Sequence, residues 1–369
     1  STLLSAWAPP LMMFIIGTGN CRFSPDASLA HSGKVAAYLR ERIAAAGGRI
    51  SFADYMHHCL YAPGLGYYAA GATKFGRAGD FVTAPEVSPV FGRLLAWQCA
   101  DVLAQLDSPA ILEIGSGSGR LAADIIETLA ADGALPAGGY HILEVSPDLQ
   151  QRQQALLEER VPGVVESVTW LDAMPTNFTG VVVANELLDA LPVERFIRRG
   201  DGVRQVCVAC EGGSFRLVES AAPANLEKAV AHIEDTLGAR LADGYASEVC
   251  VAVTPWIADL AACLDSGVAF LFDYGVGRQA YYAPDRSGGW LRCHFRHHAH
   301  DDPLILVGVQ DLTAWIDFTS VATAAVAQGL EVAGYSAQAQ FLMGGGLESE
   351  MEGFADLSLE RLDIGRQVR

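Results

Sequence analysis

Ala110-Ile111-Leu112-Glu113-Ile114-Gly115-Ser116-Gly117-Ser118-Gly119-Arg120-Leu121 is the stretch whose reading decides the fold. Its mostly apolar start predicts a buried strand, the three alternate glycines a tight turn, and Leu121, Ile125 and Leu129 a helix. Without Cβ atoms the turn can take left-handed dihedrals and lie against a ligand, and the free N–H groups of the helix start favour an anion. The spacing separates two ligand classes. A dinucleotide fingerprint puts its third glycine three residues after the second, where this chain has Arg120. Gly-x-Gly-x-Gly suits a methionine-nucleoside cofactor better, although a glycine turn opening a helix also serves as plain structure.

At 369 residues the chain fills a full core, as two units or one enlarged domain. Half the residues are hydrophobic and 18% are charged, which argues against long disorder. A net charge of -18 argues against a nucleic-acid partner, whose affinity comes from Lys and Arg on phosphates; such a charge more commonly serves solubility through self-repulsion, and it would also steer a cationic substrate inward. The eight cysteines follow no framework spacing and are read as reduced, which implies a cytoplasmic compartment. Cys207 and Cys210 form one C-x-x-C without a second pair, so a zinc site is not expected. The apolar run 11–16 is too short to span a bilayer, no membrane insertion is expected, and residues 1–30 are read as a poorly ordered extension.

Residues 31–108 are read as a helical and lid region. Ser51 with Asp54 is a capping pattern, followed by Phe52, Tyr55, Met56, Cys59 and Leu60 on one helix face. The glycine- and aromatic-rich segment from Gly64 through Glu86 is read as a lid or, equally, an ordered surface loop. From Ala110 strands and helices alternate, predicting a parallel sheet with helices on its faces, the core running over 109–194 and 267–345. A second strand at 140–143 ends in Glu144, with Val145 beside it. An acid there can accept hydrogen bonds from two ribose hydroxyls, or simply cap its own helix. A third strand at 168–171 is followed by Asp172 and Ala173, where an adenine amino group would find an acceptor. The fourth, at 181–184, runs into Asn185, Glu186 and Asp189, with Glu194 beyond, placing carboxylates at the mouth of the same crevice.

Residues 195–266 predict an inserted antiparallel meander plus helices, and 268–272 a fifth strand ending in Asp273-Tyr274-Gly275. His294, His297, His298 and His300 precede Asp301 and Asp302, yet show neither a helical H-E-x-x-H nor a finger spacing, so no metal is expected. A strand at 312–318, a helix ending near Gly329 and a last strand at 337–342 complete the core, leaving 346–369 as a tail.

Gly79-Asp80-Phe81-Val82-Thr83-Ala84-Pro85-Glu86, the run from Leu112 to Gly119, Asn185-Glu186-Leu187-Leu188-Asp189-Ala190-Leu191-Pro192 and Asp311-Leu312-Thr313-Ala314-Trp315-Ile316-Asp317-Phe318 together resemble the MidA family of class I S-adenosylmethionine-dependent methyltransferases. The resemblance spans residues 33–345. It implies an α/β, Rossmann-like seven-stranded sheet, S-adenosyl-L-methionine as cofactor, and methylation of a protein. In mitochondrial relatives that substrate is an arginine of a respiratory complex I subunit; a homodimer is also compatible. Sheet position then assigns roles. Glu113, Gly115 and Gly117 would meet the methionine end, Glu144 the ribose and Asp172 the adenine, with Ser116, Gly119, Val145 and Ala173 also counted among the cofactor-binding residues. Asn185 would border the sulfonium, and Thr83 and Glu86 would close the lid. By analogy with the paired glutamates of protein arginine methyltransferases, Glu186 and Glu194 are the expected guanidinium clamp, with Asp189 in reserve. A methyltransferase for small molecules or other residues, and a non-catalytic cofactor-binding assembly protein, are the competing readings.

Overall fold

The computed structural model describes residues 25–69, 84–296, 298–347 and 350. Expectations for residues 1–24, for Thr83 and the lid segment 70–83, for His297 and for 351–369 lie outside the described residues. Residues 25–30, assigned to the extension, already belong to helix α1 (Pro25–Ala45). A short strand β1 (Arg49–Ser51) leads into α2 (Phe52–Tyr61). The Ser51 hydroxyl accepts the Asp54 N–H at 2.9 Å, the cap that the spacing predicted. Phe52, Tyr55, Met56, Cys59 and Leu60 all face inward and share a core with Val35, Leu39 and Ile43 of α1. A single-turn helix α3 (Ala84–Val87) precedes α4 (Val90–Leu103).

The wound core begins with β2 (Ala110–Ile114), α5 (Arg120–Ala131), β3 (Tyr140–Leu143), α6 (Pro147–Arg160), β4 (Val168–Leu171) and β5 (Phe178–Asn185). Strand β5 is buried on both faces, which explains its unbroken valine run. Val181 and Val183 point to the layer of α4 and α5, whereas Val182 and Ala184 point to the opposite one. Helices α4 and α5 approach so closely that a Cβ on Gly92 would lie 2.4 Å from the Cβ of Asp124.

Strands β6 (Glu194–Arg199), β7 (Gly202–Glu211), β8 (Ser214–Ala221) and β9 (Ala246–Val249) form the antiparallel insertion, with α7 (Ala224–Leu237) after β8. It is not free-standing: β1 pairs with β7, Ile50 opposite Val208, so the N-terminal segment and the insertion share one sheet. Helix α8 (Val253–Cys263) returns beneath the wound core, and β10 (Leu264–Phe272) lies parallel to β5. The parallel sheet has the order β10-β5-β2-β3-β4, five strands among the described residues. The layer opposite α4 and α5 is closed by Val253, Ile257 and Leu260.

The C-terminal part departs from expectation twice. The strand expected at 312–318 is broken: after β11 (Gly275–Val276), α9 (Arg278–Tyr281), β12 (Leu291–Phe295) and β13 (His298–His300), the chain forms β14 (Asp311–Ala314) and β15 (Ile316–Asp317). Asp317 then caps α10 (Phe318–Ala327) by accepting the Thr319 N–H. The strand expected at 337–342 is instead helix α11 (Gln338–Gly344). Its Gln, Ala, Leu and Met are good helix formers. Helical turning also lets Phe341 pack on Phe270 and Phe272 of β10. The described histidines of the 294–300 cluster lie on the β12–β13 hairpin. Among the described residues no three His, Cys, Asp or Glu side chains converge as metal ligands, and no helix is long and apolar enough to cross a membrane.

Candidate active site

Between β2 and α5 the backbone takes positive φ at Gly115, Gly117 and Gly119, at 73°, 55° and 83°. Gly119 is the left-handed N-cap of α5. A side chain would also be crowded at two of these positions: a Cβ on Gly115 would lie 2.9 Å from Leu187 Cδ1, and one on Gly119 3.2 Å from Gln153 Cα. The loop is tied to the next strand, because the Gly115 N–H donates to the Leu143 carbonyl at 3.0 Å. A cavity of about 560 Å³ opens beyond these residues, at the carboxyl ends of β2, β3 and β5. That is where wound sheets bind ligands, and the volume suits a small organic molecule.

Three acids from the predicted set lie at its glycine-loop end. Glu113 is buried and accepts the Tyr140 hydroxyl at 2.6 Å; burial pushes its carboxyl up to about 7. Glu144, 6% exposed, accepts the Ser146 N–H at 2.9 Å and the Gln153 amide at 3.1 Å. The N-cap of α6 is Ser146, and Glu144 bonds only that residue's own N–H, so Glu144 stands in the cavity wall without capping the helix. Glu86, on α3, accepts the Ser118 hydroxyl and lies 3.7 Å from Arg120, so it crosses over the glycine loop. Ser116, Gly117 and Val145 also line the space.

Gln153 escaped the sequence reading. It is wholly buried, and its amide nitrogen donates to both the Gly117 carbonyl and Glu144, while its oxygen accepts the Trp170 indole N–H. The available signal was a polar residue on the apolar stripe of α6, between Leu149 and Leu157.

The other end of the cavity begins where β5 stops. Asn185 and Glu186 line it, and Glu186 has φ +49°, a left-handed conformation that costs a residue with a Cβ. Its N–H donates to the Phe272 carbonyl at 2.8 Å. Leu188 and Asp189 donate their N–H groups to Asp273 Oδ2 at 2.7 and 3.2 Å. Burial, then the charges of Asp273 and Asp311, push the Glu186 carboxyl up to about 8. Burial likewise raises Asp189 well above the carboxylate range, and brings Asp273 to about 6. Two tyrosines of the N-terminal segment, Tyr61 and Tyr68, line the same cavity. Tyr61 donates to the Ala190 carbonyl at 2.9 Å, and Tyr68 to Asp311 Oδ1 at 3.0 Å. Their rings stack with centroids 5.6 Å apart.

Five predicted positions fall elsewhere. Gly119 shapes the loop without lining the cavity, and Asp172 and Ala173, after β4, lie outside the lining. Asp189 is buried behind Glu186. Glu194 corrects the expected clamp: the chain turns at residues 188–191 and carries Glu194 into the antiparallel sheet, where it accepts the Gln205 amide at 2.9 Å. The carboxyls gathered around Glu186 are Asp189, Asp273 and Asp311, two of them contributed from far along the chain.

A sequence model of an S-adenosyl-L-methionine-dependent methyltransferase family matches residues 94–336. The Danio rerio "Protein arginine methyltransferase NDUFAF7, mitochondrial" is 30% identical, over 83% of this chain and 75% of its own length. The Mus musculus protein of the same name is 31% identical, over 82% and 73%. Among solved structures, a Burkholderia thailandensis protein bound to S-adenosyl-homocysteine matches with a TM-score of 0.86 at 38% identity, covering 95% of this chain and 90% of that one. The relatives are named mitochondrial, which overturns the cytoplasmic compartment inferred from the cysteines. Reduced thiols do not distinguish those compartments; the seven described cysteines are all free.

Proposed function

The chain belongs to the MidA family of S-adenosyl-L-methionine-dependent methyltransferases, and on that footing we propose that it methylates an arginine side chain of a protein substrate. The cofactor fits the residues present. The glycine loop leaves backbone bare against the cavity, and Glu86, Glu113, Glu144 and Glu186 line a space sized for a nucleoside with a cationic tail. When bound, S-adenosyl-L-methionine supplies an electrophilic methyl group. In this reading Glu144, already oriented by Ser146 and Gln153, takes the ribose hydroxyls. Glu113, Gly115, Ser116 and Gly117 hold the methionine end, Val145 covers the base, and Asn185 borders the reacting centre.

The observation that carries the arginine assignment is the group of buried carboxyls at Glu186, walled by Tyr61 and Tyr68. A guanidinium is charged at every accessible pH and planar, so it matches a site of acidic groups with an aromatic wall. Like charges forced into one buried pocket hold protons they would otherwise shed, and an entering cation relieves that repulsion. Glu186 orients the accepting nitrogen, and Asp189 stands behind it as reserve. The net charge of -18 supports a cationic partner over nucleic acid.

The test is incubation of the purified chain with methyl-labelled S-adenosyl-L-methionine and arginine-bearing proteins, respiratory-complex subunits first, followed by hydrolysis and identification of the labelled residue. Labelled methylarginine is expected. Label on lysine, on another residue type or on a small molecule would overturn the arginine assignment and leave the family standing.

A further inference from the structure

We propose that Asp273 is a positioning residue for the methyl-transfer end of the site: it clasps the turn after β5 and so keeps Glu186 in its left-handed conformation against the cavity. The inference rests on the reading of Glu186 given above. It starts from the register of two parallel strands. Phe272, the last residue of β10, lies beside Asn185, the last of β5, so the residues that follow emerge side by side. Glu186 then bonds back to the Phe272 carbonyl, and the next turn folds over the carboxylate of Asp273.

That carboxylate is fully used. Oδ2 accepts from Leu188 and Asp189, and Oδ1 accepts the N–H of Tyr274 at 2.8 Å. Backbone N–H groups converging on one anion make a rigid nest, charge-assisted at each bond. Rigidity is needed here because a residue bearing a Cβ at φ +49° stays there only when its surroundings over-determine it. Asp273 itself does not line the cavity, so it acts through Glu186 and not on a ligand. The far side of the same turn is fixed separately, since the Ala314 N–H donates to the Asp189 carbonyl at 2.9 Å. Asp273 is thus the clasp on the β10 side, and β14 on the other.

The experiment compares the full chain with Asp273→Ala and Asp273→Asn. Amide hydrogen exchange, which needs neither cofactor nor acceptor, should speed up at Leu188 and Asp189 by about tenfold or more in Asp273→Ala. Asp273→Asn keeps an acceptor oxygen and should stay close to the native rates. With the methyl acceptor that the chain proves to use, Asp273→Ala should lower kcat by on the order of 10²-fold, because a small misplacement of the orienting group costs about that much. S-adenosyl-L-methionine affinity should stay within about twofold.

Asp273→Asn separates charge from clasp. Glu186 is faced by Asp189 and by the Ala84 N–H, by Asp273 and Tyr274 after β10, and by Asp311 of β14. Removing the Asp273 charge should move the Glu186-dependent limb of kcat to lower pH, a shift that a purely structural prop would not produce. Unchanged exchange in Asp273→Ala, or cofactor affinity falling together with kcat, overturns the proposal. Should Asp273→Ala not fold, an Asp273→Asn limb that does not move overturns it as well. Because exchange is read without any acceptor, failure of the arginine assignment would leave that arm intact.

Discussion

The two ends of the cavity are built in opposite ways. The glycine-loop end comes mostly from consecutive pieces of chain: Glu113 to Ser118 from one strand-turn-helix, Glu144 to Ser146 from the next, and Gln153 two turns further on, with Glu86 of α3 reaching in from before them. The other end is assembled from stretches far apart in sequence, with Tyr61 and Tyr68, Glu186 and Asp189, Asp273, and Asp311 brought together by the sheet and by the N-terminal segment. More local construction makes the first end depend on fewer distant segments. The second end depends on four regions folding onto one another, so single changes there should reach further.

The contrast breaks if both ends fail together. Glu186→Gln carries the largest expected effect: methyl transfer should fall by about 10²-fold or more, with cofactor affinity retained. Single-turnover kinetics beside calorimetry measures both, and a parallel loss would mean that the ends are one unit. Glu144→Ala should do the reverse, weakening S-adenosyl-L-methionine by about 2 kcal/mol, about 30-fold, if two charge-assisted bonds are lost. Calorimetry showing native affinity would remove Glu144 from the nucleoside seat.

Protonation sharpens the comparison further. Glu186 at about 8, Glu113 at about 7 and Asp273 at about 6 are all raised above their ordinary values by burial. The folded chain therefore binds protons that the unfolded chain has shed, and stability present at low pH is lost as pH rises from about 4 through about 8. Thermal unfolding should accordingly give a Tm several degrees higher at about pH 5 than at about pH 8.5. Glu186→Gln should flatten the upper part of that dependence, and a Tm that rises across the range would refute the assignment of the buried protons. Tyr68→Phe is expected to have the smallest effect, removing one hydrogen bond to Asp311 and costing about 1 kcal/mol. It should raise the acceptor KM about fivefold without altering cofactor affinity.

The same difference explains what could be read before any coordinates. Residues 110–121 and 140–147 carry their whole signal within a dozen positions, so the strand, the left-handed turn and the acid at the strand end were legible. Gln153 announced itself only as a polar break in the Leu149–Leu157 stripe, a pattern more often explained by a solvent-facing turn. Asp273 and Asp311 are ordinary acids beside strands, and nothing within their neighbourhoods says that both approach Glu186. Glu194 was misplaced because spacing alone cannot see the turn at 188–191 that diverts it. The run at 337–342 failed for a general reason: short apolar segments fit strand and helix alike, and only packing against Phe270 and Phe272 decides.

The bond from Tyr68 to Asp311 ties together residues separated by 243 positions. As the chain leaves the ribosome from its N-terminus, every segment of the glycine-loop end has emerged by β5, whereas the aromatic wall must wait for β14. The aromatic wall is thus among the last parts of the cavity to be completed, after every strand of the parallel sheet has been made.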